Sequence, residues 1–268
     1  MSEVVGRSDE PEGIGRLSDR VRSVVALPGT FCAPMVFDPL RELVEPRFDV
    51  RALPWMTEAP ECGIDEVAEW VAGMISSSAS GSAIVVGHST GGAVALRLAA
   101  ERPELVEGLM LVNTGPNMHR HGDVTSLIDG MERDGTEQVV RAVIERSFHH
   151  SPSDEDRRRL LDYGDSVPLI AALQALRSQH ATDLEPVLPD LPMPVSIVHG
   201  RFDPVRTVDV AEGMAAAIPN ASLRIVDAGH SPTYETPDAV AEALVALERA
   251  SGPVRGADGA TGRGRIRR

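Results

Sequence analysis

The stretch Ser82-Ala-Ile-Val-Val-Gly-His-Ser-Thr-Gly-Gly-Ala-Val-Ala-Leu96 constrains this chain more than any other. An apolar, β-branched run enters the pentapeptide Gly87-His88-Ser89-Thr90-Gly91 and an alanine-rich amphipathic run leaves it, so the stretch reads strand, sharp turn, helix. Glycines at Gly87 and Gly91 leave room for a turn tight enough to strain Ser89, with its hydroxyl raised at the carboxyl edge of a sheet. The pentapeptide alone is a weak signal. The strand before it and the helix after it make it a strong one.

The segments around it alternate. Val21 to Leu27 reads as a strand, Ala33 to Val44 as a helix, Phe48 to Pro54 as a strand and Ile64 to Met74 as a helix, and Val106 to Val112 follows as another strand. Several strands are continuous apolar runs, which predicts an α/β fold with a mostly parallel central sheet flanked by helices. Between Asn113 and Asp190 no strand pattern appears. Four polar helical segments can be drawn there instead, near Val124 to Arg133, Thr136 to Phe148, Ser153 to Tyr163 and Val167 to His180. An insertion of that size is most simply a cap. Alternation then resumes with strands at Pro194 to Gly200 and Ala221 to Val226 and helices at Val208 to Ile218 and Pro237 to Ala250. The expected organisation is a flexible arm over 1–20, a core over 21–116 and 191–250, a helical cap over 117–190 and a disordered tail over 251–268.

A serine hydroxyl is a poor nucleophile until a base takes its proton, and that base must itself be oriented. Two loops at the carboxyl ends of later strands supply candidates: Gly200-Arg-Phe-Asp203-Pro-Val and Asp227-Ala-Gly-His230-Ser-Pro. In a parallel sheet such loops share the edge of the elbow, where ligands bind. The predicted catalytic set is Ser89, Asp203 and His230, with Asp227 as the rival acid and a turn cap before Pro204 as the plainer role for Asp203. Acyl chemistry also needs N–H donors where charge develops on the carbonyl oxygen. Thr90, at a helix start, offers one. The turn after the first strand offers another through Thr30, or alternatively Phe31.

These residues resemble the α/β-hydrolase fold superfamily over about Val21 to Ala250. The resemblance is carried by Leu-Pro-Gly29-Thr-Phe, Gly-His-Ser89-Thr-Gly-Gly, Gly-Arg-Phe-Asp203 and Ala-Gly-His230-Ser, in the chain order Ser, Asp, His. The resemblance implies a helical cap inserted after the sixth strand, an oxyanion hole at Thr30 and Thr90, and a serine esterase, thioesterase or lactonase acting on a small molecule. The short polar N-terminus leaves little sequence for the antiparallel hairpin that commonly opens such sheets. Carbon–carbon bond hydrolysis of a diketone-like substrate is an alternative. A non-hydrolytic enzyme or small-molecule binder on the same scaffold is another, since fold does not fix function.

Composition narrows the partners. A formal charge of −14 argues against non-specific attraction to nucleic acid or an anionic membrane. No run approaches the ~18 apolar residues of a membrane helix, and the first residues lack the pattern of a signal peptide, so a cytoplasmic protein is expected. Cys32 and Cys62 make neither a disulfide framework nor a metal motif, and no cofactor or metal is expected. His149 and His150 read as a solvated pair. His119, His121 and Arg157 to Arg159 read as cap surface, or less simply as contacts to an anionic substrate. Phe31, Met118 and Phe148 are the candidate pocket residues.

Overall fold

The computed structural model describes residues 21–252. Six strands form one sheet: β1 (Arg22–Leu27), β2 (Phe48–Ala52), β3 (Ala83–His88), β4 (Val106–Val112), β5 (Val195–Gly200) and β6 (Ala221–Val226). Their order is β2-β1-β3-β4-β5-β6, and every pairing is parallel. Strands β3 and β5 are buried along their whole length, as their unbroken apolar runs require, whereas the edge strand β6 turns Ser222 and Arg224 outward.

Parallel neighbours need crossovers, and helices supply them. Helices α1 (Asp38–Val44), α2 (Trp55–Glu58), α3 (Ile64–Ser76) and α4 (Thr90–Glu101) precede β4. Helices α5 (Val124–Asp134), α6 (Glu137–Arg146), α7 (Asp154–Ser166) and α8 (Leu169–Ala181) lie between β4 and β5, and α9 (Val208–Ala217), α10 (Pro232–Glu235) and α11 (Pro237–Ser251) complete the described chain. Helix α4 packs on β1, β3 and β4, and α11 on β4 and β5. The helix expected over 33–44 is split: a 3₁₀ turn at Pro34–Phe37 precedes α1, because Pro34 and Pro39 each set a helix start. Pro54 ends the second strand region early, and the unpredicted helix α2 follows it.

The four-helix insertion follows the fourth of the six described strands. Residues 1–20 and 253–268 lie outside the described residues, and with them the expected flexible arm and most of the expected tail. The insertion shares its core with the sheet: Ile128, Met131, Val140, Ile144, Leu160 and Leu176 belong to the same contiguous buried cluster as the strands. Polar contacts from α8 tie it down. Ser178 Oγ accepts from the Ile64 N–H at 2.9 Å, satisfying a donor at the start of α3 that its neighbour Gly63 has no side chain to meet. Gln174 Oε1 accepts from the Cys62 N–H at 3.1 Å. No helix among the described residues is long and apolar enough to cross a membrane.

The sheet order positions the site. The chain leaves β1 for β2 on one side and then crosses back to place β3 on the other, so the crevice at this switch point opens between the carboxyl ends of β1 and β3. Thr30 follows one of those ends and Ser89 the other.

Candidate active site

Ser89 joins β3 to α4 with its backbone at φ 53°, a conformation costing about 1–3 kcal/mol that persists only when its surroundings enforce it. Here they do. A Cβ at Gly91 would lie 2.1 Å from Leu27 O, and one at Gly87 2.5 Å from Gly91 O, so α4 starts hard against β1 and only glycine fits. The Ser89 N–H donates to Val112 O at 3.0 Å, and the Thr114 hydroxyl donates to Ser89 O at 2.7 Å.

His230, in the loop after β6, places Nε2 2.9 Å from Ser89 Oγ and Nδ1 2.8 Å from Asp203 Oδ2. Asp203, in the loop after β5, is buried, and burial alone would favour its neutral form. The adjacent His230 prevails, with hydrogen bonds from His230, the Val205 N–H and the Asn113 amide, and the carboxyl is held down at about 2. An ionised carboxylate only accepts, so His230 Nδ1 carries the hydrogen and Nε2 is left to receive the serine proton. The rival acid, Asp227, is exposed and paired with Arg201 at 3.0 Å.

Two more histidines lie close by and stay neutral. Burial, aided by His230, pushes His88 down to about 3; its Nε2–H donates to His230 O at 2.7 Å, which fixes the backbone of the base. Burial likewise lowers His199, whose Nε2–H donates to Arg206 O at 3.0 Å.

Thr30 and Thr90 are brought together from the two sides of the crevice, their hydroxyls 2.7 Å apart. Thr90 is the first residue of α4, so its N–H is one of the donors a helix start leaves without an intrahelical acceptor. The Phe31 N–H, the alternative donor, is engaged by Met56 Sδ at 3.2 Å. The Trp55 indole N–H donates to Pro28 O at 2.9 Å and pins the turn that presents Thr30.

Above these groups is a cavity of about 400 Å³. Ser89, His230, Thr30 and Thr90 line it, as do Val124, Leu127, Val139, Val143 and Leu176 from the helical insertion. Phe31 and Met118 line it too. Phe148 does not: its ring packs edge-on against Tyr234 with centroids 5.4 Å apart, beyond the end of α6, which stops at Arg146. Cys32 also borders the cavity, and burial pushes its thiol up to about 12, far from the reactive thiolate form. His149 and His150 are exposed, and the His149 ring stacks on Phe202 with centroids 4.1 Å apart.

A hydroxyl against an imidazole nitrogen, beside N–H donors and beneath a cavity, is an arrangement that can support attack on an acyl carbon. Residues 24–243 match the profile of the alpha/beta hydrolase family. The chain belongs to that family. Among relatives of this alpha/beta hydrolase, the pimeloyl-[acyl-carrier protein] methyl ester esterase of Nitrosomonas europaea is 29% identical over 230 residues, which span 79% of this chain and 90% of the relative. The 2-(acetamidomethylene)succinate hydrolase of Mesorhizobium japonicum is 27% identical over 219 residues, 70% of this chain and 76% of that one. The solved enol-lactonase of Burkholderia xenovorans superposes with a TM-score of 0.76 at 20% identity, over 86% of this chain and 92% of that one, a likeness of fold.

Sequence reasoning missed three residues of this alpha/beta hydrolase site. Asn113 binds Asp203. Gln179, from α8, accepts from the Thr90 hydroxyl at 3.0 Å and so links the insertion to the elbow. Arg206 is a buried cation in the cavity wall. The turn signal Asn113-Thr-Gly-Pro116 after a strand could have marked the first. Nothing local marks the other two.

Proposed function

We propose that this chain hydrolyses small-molecule carboxylic esters, thioesters or lactones through an acyl-enzyme. Ser89 Oγ attacks the acyl carbon while His230 Nε2 takes its proton, and Asp203 holds the imidazole and balances its charge. The Thr30 and Thr90 N–H groups receive the developing oxyanion. His230 then returns the proton to the leaving oxygen or sulfur, and a water activated by the same nitrogen releases the acid. Residues 117–190 act as the cap, covering the pocket with both apolar and basic side chains over the core of 21–116 and 191–250. The reading rests on one observation, the Ser89–His230–Asp203 relay opening onto a cavity of about 400 Å³. Family membership and the ester and hydrolase chemistry in the relatives' names support it.

The test is turnover of short 4-nitrophenyl esters together with labelling by a fluorophosphonate probe. Wild type is expected to do both, and Ser89→Ala to lose labelling and on the order of 10⁴-fold or more in kcat. Labelling that persists in the variant overturns the assignment.

A further inference from the structure

The cavity wall carries more positive charge than acyl transfer requires. Arg206, in the loop after β5, is 5% exposed and lies in the wall between this cavity and the neighbouring one that Asn117 lines. Its Nη1 donates to Asn117 O at 3.2 Å, and its Nε is buried with no hydrogen-bond partner. The one carboxylate near it among the described residues, Asp203, is already committed: Oδ2 to His230 and Asn113, Oδ1 to the Val205 and Arg206 backbone N–H groups. Burial pushes the guanidinium down to about 10, which leaves it protonated at neutral pH. Asp203 therefore acts on the Arg206 guanidinium only through its charge and not through a direct ion pair, and a buried charge is stabilised best by a hydrogen-bonded partner of opposite sign.

Other basic side chains stand on the cavity wall, although only the arginines among them are charged at neutral pH. Arg146, at the end of α6, lines the cavity and has no carboxylate partner among the described residues; the adjacent Glu145 is engaged by Arg157. His121, close enough to feel Arg206, His230 and Arg146, is lowered to about 4, with burial the larger cause. Arg120, also on the wall, is paired with Asp209. The single acidic residue of the lining, Asp123, is exposed and caps the start of α5 through Ser126. The run Arg157 to Arg159, which the sequence offered for an anion, lies on the exposed surface and does not line the cavity.

We infer that Arg206, with Arg146 beside the same cavity, forms a carboxylate subsite, so that the preferred substrate is an ester carrying a second, ionised acid group. The inference rests on the hydrolase reading above and adds a substrate class to it. A substrate carboxylate would supply the direct, hydrogen-bonded ion pair that Asp203, committed to other donors, does not give Arg206.

The experiment compares esters matched in shape with and without a terminal carboxylate: mono-4-nitrophenyl adipate against 4-nitrophenyl hexanoate for the acyl side, and 6-acetoxyhexanoate against hexyl acetate for the alcohol side. In wild type, kcat/KM is expected to favour the acid in at least one pair by roughly 10- to 100-fold, the range for a hydrogen bond to a charged group. Arg206→Met should bring that ratio to within about threefold of unity, and the exposed Arg146→Ala should lower it by a smaller factor. A wild-type ratio at or below unity in both pairs, or a ratio unchanged in both variants, overturns the subsite. Calorimetric titration with adipate separates this from failure of the hydrolase reading. Adipate binding at about 1 mM or tighter to wild type and Ser89→Ala, lost in Arg206→Met or weakened in Arg146→Ala, upholds the subsite even if no ester turns over. No binding to wild type overturns it.

Discussion

Asn113 Nδ2 lies 2.7 Å from Asp203 Oδ2, the oxygen that also receives His230 Nδ1–H. The same side chain donates to Gly229 O at 3.0 Å and accepts from the Gly200 N–H at 2.9 Å, so one fully buried amide joins the carboxyl ends of β4, β5 and β6. Its backbone sits at φ 44°, which asparagine tolerates better than most residues. Asp203 Oδ2 therefore has two partners, and only one of them is the imidazole.

Asn113→Ala is expected to lower kcat on a neutral ester by roughly 10- to 100-fold and stability by about 2–4 kcal/mol, because it leaves buried groups on two loops unpaired. Steady-state kinetics and urea unfolding measure the two effects. An unchanged kcat in a folded variant would show that His230 and the Val205 and Arg206 N–H groups position Asp203 without Asn113.

Asp203→Asn should lower kcat by about 10³- to 10⁴-fold, the scale known for the serine-protease triad, because the imidazole loses its counter-charge and its tautomer. Asp227→Asn breaks only an exposed pair with Arg201, worth less than about 1 kcal/mol, and should stay within about twofold of wild type. The reverse pattern would make Asp227 the acid.

The buried histidines set an acid limit on stability. His88 stays neutral in the folded protein down to about 3, whereas an unfolded histidine takes a proton near ~6.5. Below that pH the unfolded chain binds a proton that the folded one refuses, so stability falls as pH drops, at up to about 1.4 kcal/mol per pH unit for this residue. His121 and His199, also lowered by burial, act in the same direction. In urea unfolding between pH 6.5 and 4.5, His88→Gln should flatten the slope by about one proton. An equal slope in variant and wild type would mean that His88 is charged in the fold.

Val143 lines the cavity from α6. Val143→Phe fills part of a cavity of about 400 Å³ and should lower kcat/KM for 4-nitrophenyl octanoate at least about tenfold more than for the acetate. A chain-length profile identical to wild type would place the acyl chain elsewhere.

Much of the architecture was legible because it is written in local pattern. The strand Val106–Val112 and the helices on either side of the insertion announce themselves by period, and the turn at Ser89 by glycines that cannot be exchanged. His230 and Asp203 were legible one step further out, since loops after parallel strands must reach the same edge. Between the two acids the sequence preferred Asp203 and kept Asp227 as the rival, whereas Asn113, Gln179 and Arg206 were not legible at all. Asn113 meets Asp203 across 90 residues of chain and Thr90 meets Gln179 across 89. Phe148 shows the same boundary from the other side: an apolar residue near the end of a cap helix fits a pocket wall or a packing contact equally well, and Tyr234, 86 residues away, made it the latter. Period and turn chemistry act through neighbours along the chain. Burial and hydrogen-bond partners depend on neighbours in space, and only the folded sheet brings those together.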